Sequence, residues 1–571
     1  MKVRERFARE AAEAVSAALS RMGVEAAQVA TEVSDRADLS VPCFSMSKAA
    51  GMAPKELAER IAGEISPSGL IAGASPLNGY VNFAIDAEAL ARETLEDILR
   101  EGDGYGSAPP SGLRVNVEHT STNPTGPIHV GRARNPIIGD TLARCLSRCG
   151  HDVTTEYYVN DVGKQVVVLT WGVENVPEAD AGGADRDKTD HRLVPYYREA
   201  NRRMEGEPEV QERIAEMLRR FEAGDAEVIG KVRETAEAML GGLRATLSAI
   251  GVELDRYTWE SDFIADGSAA RIVSELKASE HAEQTEDGSW NLDLKDFGIQ
   301  GKNTRFTFTR SDGTTLYTTR DLAYHMDKFS RSDRVIDVLG EDQKLGSKQL
   351  CSALRILGSD RLPEPMFYSF VSLPEGKMST RKGVVVYLDD LIDEAVDRAR
   401  AEVLSRRPDI PAEKADEIAE AVGVGAIRYN IVRVQPEKQL VFRWEDALNF
   451  DGNSGPYIQY VHARACSMLR KAGAYSPDPD PSKLTDELEA RLIRSLSRFG
   501  EVVRSAGELR RVHLLPAYAH EVASAFNQFY AAVPVISSGE LRDARLTLVE
   551  CARTVLRNAL DCMGMKAPEE M

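Results

Sequence analysis

Two short segments concentrate residue types suited to holding a phosphate ester. The first is Glu118-His119-Thr120-Ser121-Thr122-Asn123-Pro124-Thr125-Gly126-Pro127-Ile128-His129-Val130-Gly131-Arg132. An alternating run, Arg114-Val115-Asn116-Val117-Glu118, leads into it, and a helical pattern with Ile138, Leu142, Cys145 and Cys149 on one face follows. It therefore sits at a strand-to-helix junction, where unpaired N–H groups and the helix dipole favour an anion. His129 can donate to a phosphate oxygen. Gly131 has no side chain, so a flat base can lie against the backbone. Gly126 to Ala133 comes close to the G-x-x-x-x-G-K-[ST] phosphate loop but fails it. Ala133 lacks a hydroxyl for Mg2+, Arg132 replaces the lysine and Pro127 removes a backbone donor. From this segment alone, an ordinary strand-to-helix loop with an incidental histidine stays open.

The second segment is Gly376-Lys377-Met378-Ser379-Thr380-Arg381-Lys382-Gly383, which sets cations and hydroxyls between glycines. Such a loop can close on a triphosphate and stabilise charge developing on pyrophosphate. A solvated surface turn is an equally open reading of the segment by itself. Its position favours the ligand: it follows the strand-like run Met366–Leu373, and loops at the carboxyl ends of parallel strands face the crevice.

The elements that must position these loops read as an α/β chain. Residues 1–105 pattern as helix followed by mixed strand and helix, an α+β module. The stretch 101–112, rich in Gly, Pro and Ser, is the clearest linker. Strand, loop, helix and the strand Val153–Val159 make one βαβ unit of a Rossmann-like parallel sheet. A long-helical, highly charged insertion spans about 173–280, and the sheet pattern resumes near 303–321 and at Val335–Leu339. From about 385 the pattern is almost wholly helical, with a break at 533–539 before a last helix near 541–564. The expected division is 1–105, a catalytic unit 106–435, and an all-α bundle 436–571.

With 571 residues the chain can bury several cores, and a formal charge of −19 argues against a protein that coats nucleic acid indiscriminately, though a local basic face can still bind phosphates. The 7 cysteines are odd in number and scattered, which fits reduced thiols in a cytoplasm. Cys145, Cys149 and His151 lack a fourth ligand, so no protein-bound zinc is expected. The amino terminus reads as an amphipathic helix, and no run of apolar residues is long enough to span a membrane.

Together the two loops resemble the paired signatures of class I aminoacyl-tRNA synthetases. His129-Val130-Gly131-Arg132 is similar to the H-I-G-H element, and Lys377-Met378-Ser379-Thr380-Arg381 to the K-M-S-K-S element. Within that family the arginyl branch matches over nearly the whole chain. Beyond Glu118 to Gly131, the matching segments are 158–165, 311–321, 452–460 and the ending 564–571. Two positions depart from the pattern. Arg132 stands at the second histidine of the first element, where its charge can serve a phosphate or point into the fold. Thr380 stands at the second lysine of the other.

The resemblance implies ATP-dependent activation of L-arginine to an adenylate, then transfer to the terminal ribose of the tRNA specific for arginine, with no covalent enzyme intermediate. It places Glu118, Thr120, Asn123, His129, Tyr317, Asp321 and Gln343 in the amino-acid pocket. Thr125, Gly126, His129, Gly131 and Lys377 fall in the ATP site. Arg132, Met378, Ser379, Thr380 and Lys382 complete the catalytic loops. Tyr460, Tyr530 and Met571 fall in an anticodon-binding bundle, and the first module contacts tRNA. ATP is expected with Mg2+, and the protein as a cytoplasmic monomer. Chemistry supports the pocket separately: a guanidinium is planar, permanently charged and rich in donors, and calls for carboxylates such as Glu118 and Asp321 with a ring wall such as Tyr317. A cysteine-specific relative would need a thiol-selective metal site, and a glutamate-specific one cations in the pocket. A tRNA-binding protein without catalysis would be expected to have lost the ATP loops.

Overall fold

The computed structural model describes residues 3–25, 29–32, 37–300, 304–311, 313–372, 379–381 and 384–571. In the first module, strands β1 (Leu39–Pro42), β2 (Ile71–Leu77) and β3 (Tyr80–Ile85) form an antiparallel sheet ordered β1-β3-β2. Helices Val3–Arg21 and Pro54–Glu64 bury Phe7, Val15, Leu57 and Ile61 in the same core as Val81 and Phe83 of β3.

The central sheet begins with β4 (Arg114–Glu118), β5 (Asp152–Val159) and β6 (Arg256–Trp259). A separate antiparallel sheet follows, β7 (Ala282–Gln284), β8 (Trp290–Asp293) and β9 (Arg305–Thr309). The chain then returns to the central sheet with β10 (Arg334–Gly340) and β11 (Glu364–Tyr368). The central order is β11-β10-β4-β5-β6, with every pair parallel. From β4 the chain builds outward through β5 and β6, then crosses to the other side for β10 and β11. Beside β4 and β10, therefore, strand order reverses, and a crevice at their carboxyl ends is the expected ligand site.

Four helices position that crevice: α1 (Arg134–Arg148), α2 (Tyr317–Arg331), α3 (Ala412–Val432) and α4 (Arg542–Cys562). Helix α1 packs Ile137, Ile138, Leu142 and Leu146 into the core containing Val115, Val117 and Ile336 of the sheet. The carboxyl-terminal bundle joins α4 to helices Gly455–Ala472, Glu487–Ser497, Phe499–Glu508 and Leu514–Ala532 around an apolar core. Two fully buried arginines tie these bodies together. Arg134 donates to the carbonyls of Ser369, Val434, Gln435, Pro436 and Lys438 at 2.7–3.0 Å. Arg428 on α3 donates to Met563 O (2.6 Å) and Ile250 O (2.7 Å) and pairs with Asp140 of α1.

Two local expectations differ from what is observed. The span 173–280 holds helices Thr189–Gly206, Pro208–Glu222 and Ala226–Ala249, but also β6, the edge strand of the central sheet. Four residues amid helical surroundings leave no periodicity to read. The strand-like span 303–321 divides into β9, which belongs to the small sheet, and the start of α2. Thr318 and Thr319, β-formers by composition, instead hook α2 onto β9 by donating to Thr307 O (2.9 Å) and Phe308 O (2.6 Å). Among the described residues, no helix is long and apolar enough to cross a membrane.

Candidate active site

Beyond Glu118 the chain turns sharply off β4. Thr120 and Ser121 take positive φ, 73° and 35°, a conformation that costs energy in residues other than glycine and persists only when the surroundings enforce it. Asn135 at the start of α1 enforces it: its Oδ1 accepts from Thr120 N (2.7 Å) while its Nδ2 donates to Val338 O on β10 (3.1 Å). Ser121 Oγ donates to Glu118 Oε1 (2.9 Å) and accepts from Tyr158 N (3.0 Å). Asn123 is exposed, and Thr125 and Gly126 are half-buried. His129 Nδ1 accepts from Gly131 N (3.1 Å) as the chain winds through one 3-10 turn into α1. Gly131 is buried. Arg132 is exposed, its guanidinium 6.0 Å from the Phe370 ring centroid. Arg134, two residues on, is the arginine that points into the fold.

The second basic segment is described only at its backbone stem. Lys377, Met378 and Lys382 lie outside the described residues, as do Gly376 and Gly383. Ser379–Arg381 pairs antiparallel with Val384–Val385. The chain then runs alongside the first loop: Val130 N donates to Val386 O (3.1 Å), His129 bridges Tyr387, and Leu388 N donates to Ile128 O (2.8 Å). The chain that follows the second segment thus lies against the first loop.

The predicted pocket acids meet through partners that the sequence did not single out. Register places Glu118 of β4 beside Asp337 of β10. Lys328, fully buried on α2, donates to both, at 2.7 Å from Glu118 Oε2 and 2.7 Å from Asp337 Oδ1. One turn earlier, His325 Nε2 lies 2.9 Å from Asp337 Oδ2, and its Nδ1 lies 2.8 Å from Asp321 O and 3.1 Å from Asp321 Oδ1. Glu118 and Asp321 are therefore the two ends of one continuous ion chain. Burial and the Lys328 charge push His325 down, but Asp337 and Asp321 outweigh them and hold it up at about 10. Burial likewise opposes the charge on Lys328 and on Asp337. Their mutual attraction wins, keeping the lysine above its usual range and the aspartate below its own. Glu118 is pushed up, by burial first.

Glu260, immediately after β6, adds a third face. Its Oε1 accepts from Arg320 Nε (2.5 Å), whereas Oε2 is buried and has no hydrogen-bond partner among the described residues. Burial, reinforced by Asp161 and Asp321 against the pull of Arg320, pushes this carboxyl up to about 7. The Tyr158 hydroxyl, which senses the charges of Glu260, Asp321 and Glu118, is likewise buried without a partner among the described residues. An unpaired carboxylate oxygen and hydroxyl beside Asp321 suit a ligand that brings several donors and a positive charge. Tyr317 opens α2 with its ring 66% exposed, and Gln343 is exposed just past β10. Glu260, His325 and Lys328 were missed because charged residues in such patterns usually face water. The only sequence signal was the i, i+4, i+7 spacing of Asp321, His325 and Lys328.

Elsewhere, Asp190, His191 and Asp389 converge closely enough to hold a metal. Lys188 Nζ already sits among them, 3.1 Å from Asp190 and 2.9 Å from both oxygens of Asp389, so the group carries its own cation. His151 is engaged by Glu508 (2.6 Å) and Ser111 (2.8 Å). In the bundle, Tyr460, Tyr530 and Met571 line one cleft of about 390 Å³. Arg464 lies between the two rings, 4.8 and 4.9 Å from their centroids.

Comparison with known proteins matches this geometry over the full length. The model of the class I tRNA synthetase (R) catalytic domain matches residues 94–444. The DALR anticodon binding domain matches 458–571, and the arginyl tRNA synthetase N terminal domain 9–85. The arginine--tRNA ligase of Methanocella arvoryzae is 45% identical over 98% of this chain and 99% of its own. That of Methanothermobacter thermautotrophicus is 41% identical over 99% of each. The solved arginyl-tRNA synthetase of Thermus thermophilus superposes with a TM-score of 0.83 at 29% identity, covering 99% of this chain and 100% of that one. A catalytic-domain match over more than half of the chain and relatives this similar over their whole length carry one conclusion: the chain belongs to the class I arginyl-tRNA synthetases.

Proposed function

We propose that the protein activates L-arginine with ATP, forming arginyl-adenylate and diphosphate, and transfers arginine to its tRNA with release of AMP. The observation that carries the arginine assignment is the acid-lined crevice. Asp321 and Glu118 stand at the two ends of one ion chain, and one Glu260 oxygen has no partner among the described residues; Tyr317, exposed one helical turn before Asp321, is assigned to the ring wall. Glu118 spends one acceptor position on Ser121 and one on Lys328, leaving two of the roughly four a carboxylate offers. Thr120, Asn123 and Gln343 are assigned to the amino-acid backbone.

ATP, as its Mg2+ complex, is assigned to the loop Thr125–Arg132 and the segment Lys377–Lys382. His129, Gly131, Lys377 and Lys382 are assigned to the phosphates, and Met378, Ser379 and Thr380 to the same catalytic segment. The arginine carboxylate attacks the α-phosphorus, diphosphate leaves, and the protein contributes placement and fixed charge in the absence of a covalent intermediate. Tyr460, Tyr530 and Met571 are assigned to stacking on anticodon bases. The working division is 1–105, 106–435 and 436–571. The protein is taken as a cytoplasmic monomer without structural zinc. ATP–pyrophosphate exchange measured with each amino acid, with and without tRNA, tests the core of this reading. Exchange with arginine alone supports it, and exchange with another amino acid, or with none in the presence of tRNA, refutes it.

A further inference from the structure

The geometry around His325 restricts its protonation state. Its Nδ1 faces a backbone carbonyl and a carboxylate, and its Nε2 faces a second carboxylate. Both nitrogens meet acceptors, an arrangement that only the doubly protonated, singly charged ring, the imidazolium, satisfies. Lys328 likewise has carboxylates on two sides and stacks its ammonium 4.3 Å from the Tyr324 ring. Three carboxylates, Asp321, Asp337 and Glu118, thus stand against two cations in one chain, buried except at its Asp321 end. With all three ionised one negative charge is left over, and a guanidinium brings one positive charge.

We infer that His325 and Lys328 are positioning residues of the amino-acid pocket: fixed internal cations that aim Asp321 and Glu118 and trim the acid cluster to the one charge that a single monocationic side chain neutralises. The inference rests on the pocket proposed above. Without these cations, three neighbouring carboxylates would raise one another's affinity for protons, and a guanidinium would have to displace those protons to bind. An uncompensated acid cluster would also suit a divalent metal ion better than an amino acid. The groups facing His325 come from every neighbouring element. They are Tyr324, Asp321 and Lys328 on α2, Asp337 on β10 and Glu118 on β4; Cys351, on the helix Lys344–Ile356, neighbours the same two aspartates. Asp337 and Asp321 dominate among them, in keeping with an imidazole held at about 10.

The test is a cycle of variants read by pyrophosphate exchange. His325→Gln is expected to raise KM for arginine at least about tenfold while KM for ATP moves by no more than about twofold. A merely structural role would raise both. The double variant Asp321→Asn/His325→Gln is expected to stay within about twofold of Asp321→Asn alone, because His325 acts through Asp321. Full additivity overturns the inference. An effect in Asp321→Asn with none in His325→Gln sinks this inference and spares the pocket. No effect in Asp321→Asn sinks both. If the His325 variant does not fold, the wild-type protein decides. Among its 9 histidines, 15N-histidine NMR at pH 9 is expected to show one ring still doubly protonated, and a spectrum with none overturns the inference.

Discussion

Asp321 lies where two demands meet: one oxygen faces His325, and the side chain keeps 39% of its surface open to the crevice. Asp321→Asn preserves the shape and removes the charge. Its KM for arginine is expected to rise at least about tenfold, worth 1.4 kcal/mol, toward the about 2–5 kcal/mol typical of unpairing a buried charge. KM for ATP should move much less. Discrimination against lysine, whose compact ammonium cannot use a carboxylate fork as a guanidinium does, should narrow. Arginine and lysine titrations of the exchange reaction check both. Glu260 adds a pH dependence. Its carboxyl, raised by burial to about 7, is neutral below that pH and ionised above it. kcat/KM for arginine, which reports free-enzyme groups, should therefore fall as pH drops through about 7, and Glu260→Gln should lose that limb. For stability the sign is opposite: a carboxyl raised in the folded state favours folding at low pH, and this contribution is lost as pH rises through about 7. The family resemblance named Glu118, Asp321 and Tyr317, and guanidinium chemistry is in keeping with them. Nothing in composition marks Lys328 as fully buried, because an amphipathic helix shows which face is polar but not that a polar residue has been taken inside with two partners.

At the scale of elements, the strand-to-helix junction at 118–132 was readable because alternation, turn residues and helical period succeed one another without overlap. β10 was found nearly to its ends, whereas β6 is too short to announce itself and joins the sheet only through pairing with β5. The strained turn at Thr120 and Ser121 was equally invisible, since its cause, Asn135, acts from the next element. Asn135→Ala leaves Thr120 N and Val338 O without their partner and should cost about 1–3 kcal/mol of stability, read by chemical denaturation. The two signature loops, stitched together at Val130–Val386 and Ile128–Leu388, are expected to act on the same step. His129→Ala, or Lys377→Ala with Lys382→Ala, should each slow adenylate formation by the equivalent of about 2–4 kcal/mol. Wild-type rates in both, measured by single-turnover exchange, would remove these loops from the ATP site.

At the scale of the whole molecule, chemistry and tRNA recognition sit on different bodies. Tyr530→Ala in the distal cleft is accordingly expected to weaken tRNA binding by about 1–3 kcal/mol with little change in activation at saturating tRNA. Filter binding and a melting curve distinguish this from a variant that unfolds because Tyr530 supports the bundle. An apolar core shared with the bundle joins the bodies, and buried arginines reinforce the connection between them. Arg134 gives its guanidinium to five backbone carbonyls, most of them in the connection 434–438. A lysine there offers three donors, so Arg134→Lys is expected to melt several degrees lower. A ligase that supplies arginine to translation is itself translated from that supply. Ribosomes fed tRNA carrying lysine in error would build this joint with lysine in some copies, and those copies would carry the weaker joint.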